Sequence, residues 1–341
     1  MNILITGGSG FVGTYLVKRL LKENHDVRII DILYPSLDVI SDVEYFKVNN
    51  IETKEVYQDK IFRDIDIVFH LASKLPIHRL SLQKYRLVNV TGLENILKMS
   101  YIHNIPKIIN ISTSAVYGIP KCPVTEQSIR KPVENYGISK YESELKCVAY
   151  RNLFGMNISN IRPRAIIGEE RLGAFYLLFL SLKNNKPLYC IGNGNNKVQL
   201  VSVEDLIDLL MLLTKKKYKN EDFNVGTDKF GTLNEDMNEL IIKGKSKSIM
   251  VHIPSSLGKN ACKIINKVLP IAEWHYELVD KDFYFDITKA NKLLGWYPKN
   301  SNTDMLLRSY NWYLNNPLKG KNLSKHKSPI ESKILRLFIG N

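Results

Sequence analysis

The chain reads as a doubly wound α/β fold with a smaller C-terminal unit. Three features of its 341 residues predict it. Short apolar runs alternate with helical stretches through the first half. Those runs are continuous rather than period-two, as in strands buried on both faces of a parallel sheet. A glycine-rich turn joins the first run to the first helix.

The first run is Ile3-Leu4-Ile5-Thr6, followed by Gly7-Gly8-Ser9-Gly10-Phe11-Val12-Gly13. Gly7 allows a tight exit from the strand, Gly10 lets the backbone approach a pyrophosphate, and Gly13 lets the helix pack close to the sheet. The helix then offers its N-terminal N–H groups to phosphate. Its apolar stripe is Val12, Leu16 and Leu20, with Lys18, Arg19 and Lys22 opposite. After the turn Asn24-His25-Asp26, the second strand Val27–Asp31 ends in an acid 18 residues beyond Gly13, where a carboxylate reaches ribose hydroxyls. A carboxylate there also repels a 2′-phosphate, so NAD is expected rather than NADP.

Further strands are expected at Glu44–Val48, Ile67–Leu71, Lys107–Ser112, Asn157–Arg162, Leu188–Ile191 and Asp222–Val225. Helices are expected over Gln83–His103, Gly173–Lys183, Val203–Leu213, Asp286–Leu294 and Asp304–Leu314, with a capping box opening another at Thr232 and Glu235. Ligands of such sheets bind beyond the carboxyl ends of the strands. The polar residues there are Ser73, Ser112, Thr113 and Ser114. Tyr136 and Lys140 follow, four apart on one helix face and 23 residues after Thr113. An ordinary tyrosine, with a pKa of about 10, must move by about three units to ionise near neutrality.

Composition narrows the remaining classes. No apolar run is long enough to span a membrane, and the first residues enter a strand directly, so no signal peptide is expected. Cys122, Cys147, Cys190 and Cys262 are scattered, which predicts a reducing, cytoplasmic setting. The seven histidines are not spaced for a metal site. The net charge of +14 is concentrated in Lys215-Lys216-Lys217, Lys219 and the tail after residue 318, and no nucleic-acid-binding motif accompanies it. In the tail, Ile330, Ile334, Leu337 and Phe338 make one helical face. That basic amphipathic stretch suits packing on the protein itself or a dimer partner, with an anionic membrane surface as the second option.

The motifs together resemble the extended branch of the short-chain dehydrogenase/reductases, in the nucleotide-sugar epimerase/dehydratase group. The resemblance rests on the glycine turn, Asp31, His70-Leu71-Ala72, Asn89-Val90-Thr91-Gly92, Ser112 to Gly118, Tyr136-Gly137-Ile138-Ser139-Lys140, Arg162-Pro163, Val203-Glu204-Asp205 and Leu294 to Pro298, in family order. It implies a Rossmann-type NAD-binding domain of residues 1–168 plus 201–226, a substrate-binding domain of 169–200 plus 227–317, and a basic tail of 318–341. It implies catalysis by Thr113, Tyr136 and Lys140. It implies NAD contacts from Gly7, Gly10, Phe11, Val12, Gly13, Asp31, Asn50, Ile51, Leu71, Ala72, Ser73, Asn89, Ser112, Tyr136, Lys140 and Pro163. Substrate contacts are expected from Ser73, Thr113, Ser114, Tyr136, Arg164, Arg171, Lys197 and Gln199, and a homodimer is expected.

The implied activity is NAD-dependent epimerisation of a nucleotide sugar, with C4 of a UDP-sugar ranked first. Dehydratases of this group carry acids just after the threonine, where this chain has Ser114 and Ala115; elimination needs an acid for the departing hydroxyl. A keto-sugar reductase or dehydrogenase is the main alternative, and a non-enzymatic NAD-binding scaffold ranks last. Val198 stands where many epimerases have a diphosphate-binding arginine and Ala165 where many have a substrate-contacting asparagine, so the sugar is left open.

Overall fold

β1 (Asn2–Thr6) is the pivot of a seven-stranded, wholly parallel sheet. The computed structural model describes residues 1–76, 80–171, 175–215, 218–258, 278 and 280–316. On one side of β1 lie β2 (Asp26–Asp31) and β3 (Val43–Lys47); on the other lie β4 (Ile67–His70), β5 (Lys107–Ile111), β6 (Ile158–Pro163) and, at the far edge, β10 (Phe223–Val225). The chain leaves β1 one way and returns to its other side at β4. The reversal opens a crevice at the carboxyl ends of these strands, the place where such sheets take dinucleotides.

Both faces are covered. Ile3, Ile5, Phe69 and Ile109 pack against α1 (Phe11–Lys22) and α7 (Val203–Lys215). Leu4, Val68, Ile108 and Ile158 pack against α2 (Asp59–Phe62), α4 (Leu93–Ile102) and α5 (Asn135–Phe154). Each fully buried side chain of this kind stabilises the fold by about 1.5–3 kcal/mol. This burial from both sides is why the strands lack alternation.

One expected helix is three pieces. Gln83–His103 is replaced by α3 (Leu82–Arg86), a π-helical turn (Leu87–Gly92) and α4. The wide turn carries buried Asn89, and it brings Gly92 so near Ile51 that a Cβ would lie 2.7 Å from Ile51 Cγ2.

A second cluster joins α6 (Tyr176–Lys183), α8 (Leu233–Lys243) and α10 (Asn302–Asn315). Two parallel strand pairs accompany it: β7 (Ala165–Ile167) with β9 (Leu200–Ser202), and β8 (Leu188–Ile191) with β11 (Met250–Ile253). The capping box at Thr232 and Glu235 opens α8 as expected, and Ser301 with Asp304 makes another for α10. Phe283, Phe285, Ile287, Ala290, Leu294 and Trp296, around α9 (Thr288–Leu294), belong to the core beneath the large sheet. β7, β9 and β11 were not expected, being too short to show periodicity. Residues 172–174, Lys216, Lys217 and the tail 318–341 lie outside the described residues.

Among the described residues, no helix is long and apolar enough to cross a membrane, and no group of His, Cys, Asp or Glu is arranged to hold a metal ion.

Candidate active site

The glycine turn is a cradle that side chains would fill. Gly7 has φ +76°, and a Cβ there would lie 2.7 Å from Ala72 N; at Gly13 it would lie 2.3 Å from Gly7 O. The start of α1, with Phe11 and Val12 in its first turn, is thereby pressed onto the exit of β1. Asp31, at the end of β2, accepts hydrogen bonds from Ser9 N at 2.9 Å and Leu33 N at 3.0 Å, which fixes its carboxylate beside the glycine turn. Burial outweighs these bonds and raises its pKa. These residues fit a dinucleotide: backbone donors for a pyrophosphate and a carboxylate for a ribose.

The loop after β4 is tied to the far wall of the crevice. Leu71 N donates to Thr6 O, and Ala72 N to Thr6 Oγ1 at 3.3 Å. Asn89 Oδ1 accepts from Ser73 Oγ at 3.0 Å and Lys74 N at 2.8 Å, while Asn89 Nδ2 donates to Ser139 Oγ at 2.9 Å. Ser139 Oγ in turn donates to Tyr136 O. Asn89 therefore holds the loop against the helix that carries Tyr136 and Lys140. Sequence reading placed Asn89 on the cofactor; the structure commits its amide to this brace. Ile51 is buried against Gly92, and Asn50 is exposed, its carbonyl accepting from Thr53.

Thr113 and Tyr136 are brought together. Thr113 caps the short 3₁₀ turn Ser114–Tyr117, which also places buried Ser114 at this strand end, and its side chain lies near enough to the Tyr136 hydroxyl to favour the ionised form. Gly137 makes the approach possible, because a Cβ there would lie 2.7 Å from Ala115 O. Glu134 caps α5, accepting from Gly137 N at 2.7 Å and Tyr136 N at 3.0 Å. Sequence reading missed it; the signal was an acid just before a helix start.

The Tyr136 hydroxyl is pushed up to about 12, chiefly by burial. Thr113 and the Arg171 charge act downward, while Glu134 and Tyr85 act upward. Lys140, 2 % exposed, is brought down to about 8 by burial. Its Nζ donates to Ile111 O at 2.7 Å. Arg171 thus adds a positive charge acting on Tyr136, beside the Lys140 that shares its helix face.

Ser112 is redirected. Its hydroxyl donates to Glu144 at 2.5 Å, within a buried cluster in which Arg162 binds Glu144 through Nε and Nη2 at 2.8 and 2.9 Å and reaches Asp222 at 3.0 Å. Arg151 pairs with Asp222 and Arg130 with Glu144. Pro163 closes β6 beside Val225.

The four expected substrate residues of the later chain separate into two kinds. Gln199 is fully buried and donates to Thr227 O at 2.7 Å, while its Oε1 accepts from Phe285 N at 2.9 Å; the amide holds backbone together and has none left for a ligand. Lys197 is exposed near Glu235, its backbone N bonded to Asp282. Arg164 is 7 % exposed, stacks 3.7 Å above Phe283 and gives Nε to Gln199 O at 3.1 Å. Arg171 lies 5.1 Å over the Phe11 ring. Among the described residues neither arginine pairs with a carboxylate. Burial pushes Arg164 down to about 9 and lowers Arg171.

A parallel sheet with a glycine cradle at its reversal and a Tyr/Lys helix across the crevice defines a dinucleotide-binding protein. The chain belongs to the NAD dependent epimerase/dehydratase family, whose model matches residues 3–226, and NAD is the cofactor of that family. It is 32 % identical to an uncharacterised protein of Sinorhizobium fredii, over 98 % of this chain and 85 % of that one. It is 31 % identical to a putative UDP-glucose 4-epimerase of Methanocaldococcus jannaschii, over 92 % and 99 %. Among solved structures, it resembles in fold a Thermotoga maritima UDP-glucose 4-epimerase with UDP-glucose (TM-score 0.76, 23 % identity, 92 % of this chain and 99 % of that one). It likewise resembles a Bacillus cereus UDP-glucuronic acid 4-epimerase in complex with UDP-glucuronic acid and NAD (TM-score 0.76, 24 %, 92 % and 99 %).

Proposed function

We propose that this protein epimerises a nucleotide sugar with NAD, at C4 of a UDP-sugar. The observation that carries the reading is the juxtaposition of the Thr113 turn with the start of the helix that buries Tyr136 and Lys140, set by the close approach of Gly137 to Ala115. Relatives named as UDP-glucose and UDP-glucuronate 4-epimerases support it.

NAD, when bound, supplies a reversible hydride acceptor and donor. The chain's residues do the rest. Gly7, Gly10 and Gly13 with Asp31 hold the dinucleotide, and Asn89 keeps the loop at Leu71, Ala72 and Ser73 in place. Tyr136 takes the proton of a sugar hydroxyl while Thr113 binds the same oxygen. In the ligand-free chain Tyr136 is neutral at pH 7. Ionisation therefore depends on added positive charge, from Lys140, Arg171 and the bound cofactor. Arg164, buried, and Arg171, half-buried, offer cationic groups to the anionic part of the substrate; Arg164 compensates for the absence of an arginine at Val198. The 3₁₀ turn after Thr113 holds Ser114 and Ala115, with no acid to assist elimination, which favours epimerisation over dehydration.

The homodimer is part of the same reading. Tyr101, Ile102, Leu145, Leu153 and Phe154 are exposed apolar side chains on adjacent helices α4 and α5, a face suited to a second copy. The cytoplasmic setting is supported by the free cysteines Cys122, Cys147 and Cys190. Peripheral membrane contact through the basic tail stays the lesser option.

The test is incubation of purified protein with a panel of nucleotide sugars and no added cofactor. Interconversion of C4 epimers is the expected result. A product formed only with added NADH points to the keto-reductase alternative instead.

A further inference from the structure

The polar side chains inside the sheet form a row. Thr6, His70, Asn110 and Asn160 are register partners on β1, β4, β5 and β6. All four are buried, with relative exposures of 0, 1, 0 and 0 %. They continue the face on which Leu4, Val68, Ile108 and Ile158 meet α4 and α5. Buried polar atoms destabilise a fold unless they are hydrogen-bonded, so the partners of this row can be followed from each end.

From the β10 side, the Asp222 carboxylate only accepts. Its Oδ1 takes Asn160 Nδ2 at 3.2 Å, which turns Asn160 Oδ1 toward Asn110 Nδ2 at 2.8 Å. Asn110 is left with Oδ1, an acceptor that has no partner among the described residues. From the β1 side, Thr6 Oγ1 accepts from Ala72 N, and its proton has no acceptor among the described residues other than His70 Nδ1 at 2.8 Å, so the hydroxyl donates there. The neutral ring then carries its proton on Nε2, a tautomer assigned from the hydrogen bonds. That Nε2 is also without a partner among the described residues. The row thus reaches the β4–β5 junction as a donor on one strand and an acceptor on the next.

Lys140 stands at this junction. It is the charged group acting on the His70 ring, and its Nζ gives one hydrogen to the carbonyl of Ile111, the residue after Asn110. Among the described residues, its two other ammonium hydrogens have no acceptor.

We propose that a buried water binds between His70 Nε2, Asn110 Oδ1 and Lys140 Nζ, and that His70 and Asn110 act through it as positioning residues for Lys140. The water accepts from the ring N–H and the ammonium and donates to the amide oxygen. Three hydrogen bonds are typical of a buried water. The charged and titratable groups facing Lys140 are His70 from β4, and Tyr136, Glu144 and Cys147 from its own helix. Glu144 is already engaged by Arg162 and Arg130, so a neutral acceptor at this junction offsets part of the burial of the ammonium. This holds whatever the substrate is, because it concerns only the state of Lys140.

Two measurements test it. A crystal structure of the whole chain at about 1.2 Å, fine enough to assign the hydrogen-bond network, is expected to show one water within hydrogen-bond distance of all three atoms. A dry junction, or His70 Nε2 bonded directly to Asn110 Oδ1, overturns the proposal. The second is an NMR titration of lysine labelled at Cε, with the Lys140 signal assigned by its loss in Lys140→Arg. His70→Phe and Asn110→Leu are each expected to lower the Lys140 midpoint by about one unit. The double variant should shift it no further, because either change removes the same water. His70→Gln, which keeps a donor, should restore the wild-type midpoint. Shifts that add, or no shift, overturn the proposal. Should Asn110→Leu fail to fold, the comparison of His70→Phe with His70→Gln decides alone.

Discussion

Gly137 lies so close to Ala115 that a single added methyl would stand 2.7 Å from the Ala115 carbonyl oxygen. The contact is between backbone and backbone, so no flexible side chain can yield. It sets the spacing between the turn that begins at Thr113 and the helix that begins at Asn135. Gly137→Ala should therefore destabilise the protein by about 1–3 kcal/mol through overpacking. It should also cost about a hundredfold in turnover, since misplacement by about 1 Å has that effect. Denaturant melts and initial rates on the same sample check both. A variant that melts like wild type with unchanged rates would show that the close approach has no consequence.

Lys140 gives the protein a pH signature. Burial, which disfavours the ammonium, brings its folded-state pKa down from the ordinary lysine value of 10.5 to about 8. Between these values the unfolded chain binds more protons. This contribution to stability is thus complete above pH 10.5 and is lost as pH falls through 8. Two and a half units correspond to about 3 kcal/mol. Tyr136 acts oppositely: its folded pKa of about 12 makes its contribution complete below 10 and lost as pH rises toward 12. Lys140→Met should flatten the rise in unfolding free energy from pH 8 to 10. Superimposable wild-type and variant curves, offset by a constant, would remove the basis for this assignment.

The cradle and the Tyr/Lys helix were legible because local rules fix them. Gly7 to Asp31 is a strand, a turn, a helix and a strand in which each residue type answers a constraint within a few positions. Tyr136 and Lys140 share a face by helical period alone. What the sequence concealed depends on partners far away. Gln199 looked available until Thr227 and Phe285 were seen to consume its amide, 28 and 86 positions on. Ser112 stood at a promising strand end, but Glu144, 32 residues later, takes its hydroxyl. Neither pattern has a local signature, because burial of a polar group is decided by tertiary packing.

Asp31 should govern the choice and affinity of the cofactor. Both its oxygens already accept backbone N–H groups, so the carboxylate is held in place before any ligand arrives. Asp31→Asn keeps the size, removes the charge and presents an amide N–H to one of those donors. It is expected to weaken NAD binding about tenfold or more, the loss of one charge-assisted hydrogen bond. Calorimetric titration of cofactor-stripped protein with NAD and NADP reads both affinities, and the NAD preference should narrow. Unchanged NAD affinity would mean that the carboxylate serves only the Ser9 and Leu33 turn.

Arg164 poses a sharper question, because a buried guanidinium without a carboxylate is costly in the free protein. Among the described residues it makes one hydrogen bond, to Gln199 O, and a stacking contact with Phe283. Burial lowers its pKa to about 9. Such a cost is sustained where an anion arrives to offset it. Arg164→Met fills the same space and still covers the ring. The ligand-free variant should melt at the wild-type temperature or above it. Substrate KM should rise about ten- to a hundredfold, the value of a charge-assisted hydrogen bond to phosphate, with kcat little changed because the reacting hydroxyl is bound elsewhere. Inorganic diphosphate should raise the melting temperature of wild type and leave that of the variant unmoved. If instead the variant melts several degrees lower while KM holds, the arginine is there for its stack on Phe283, and the anionic end of the substrate must be held by Arg171 or Lys197.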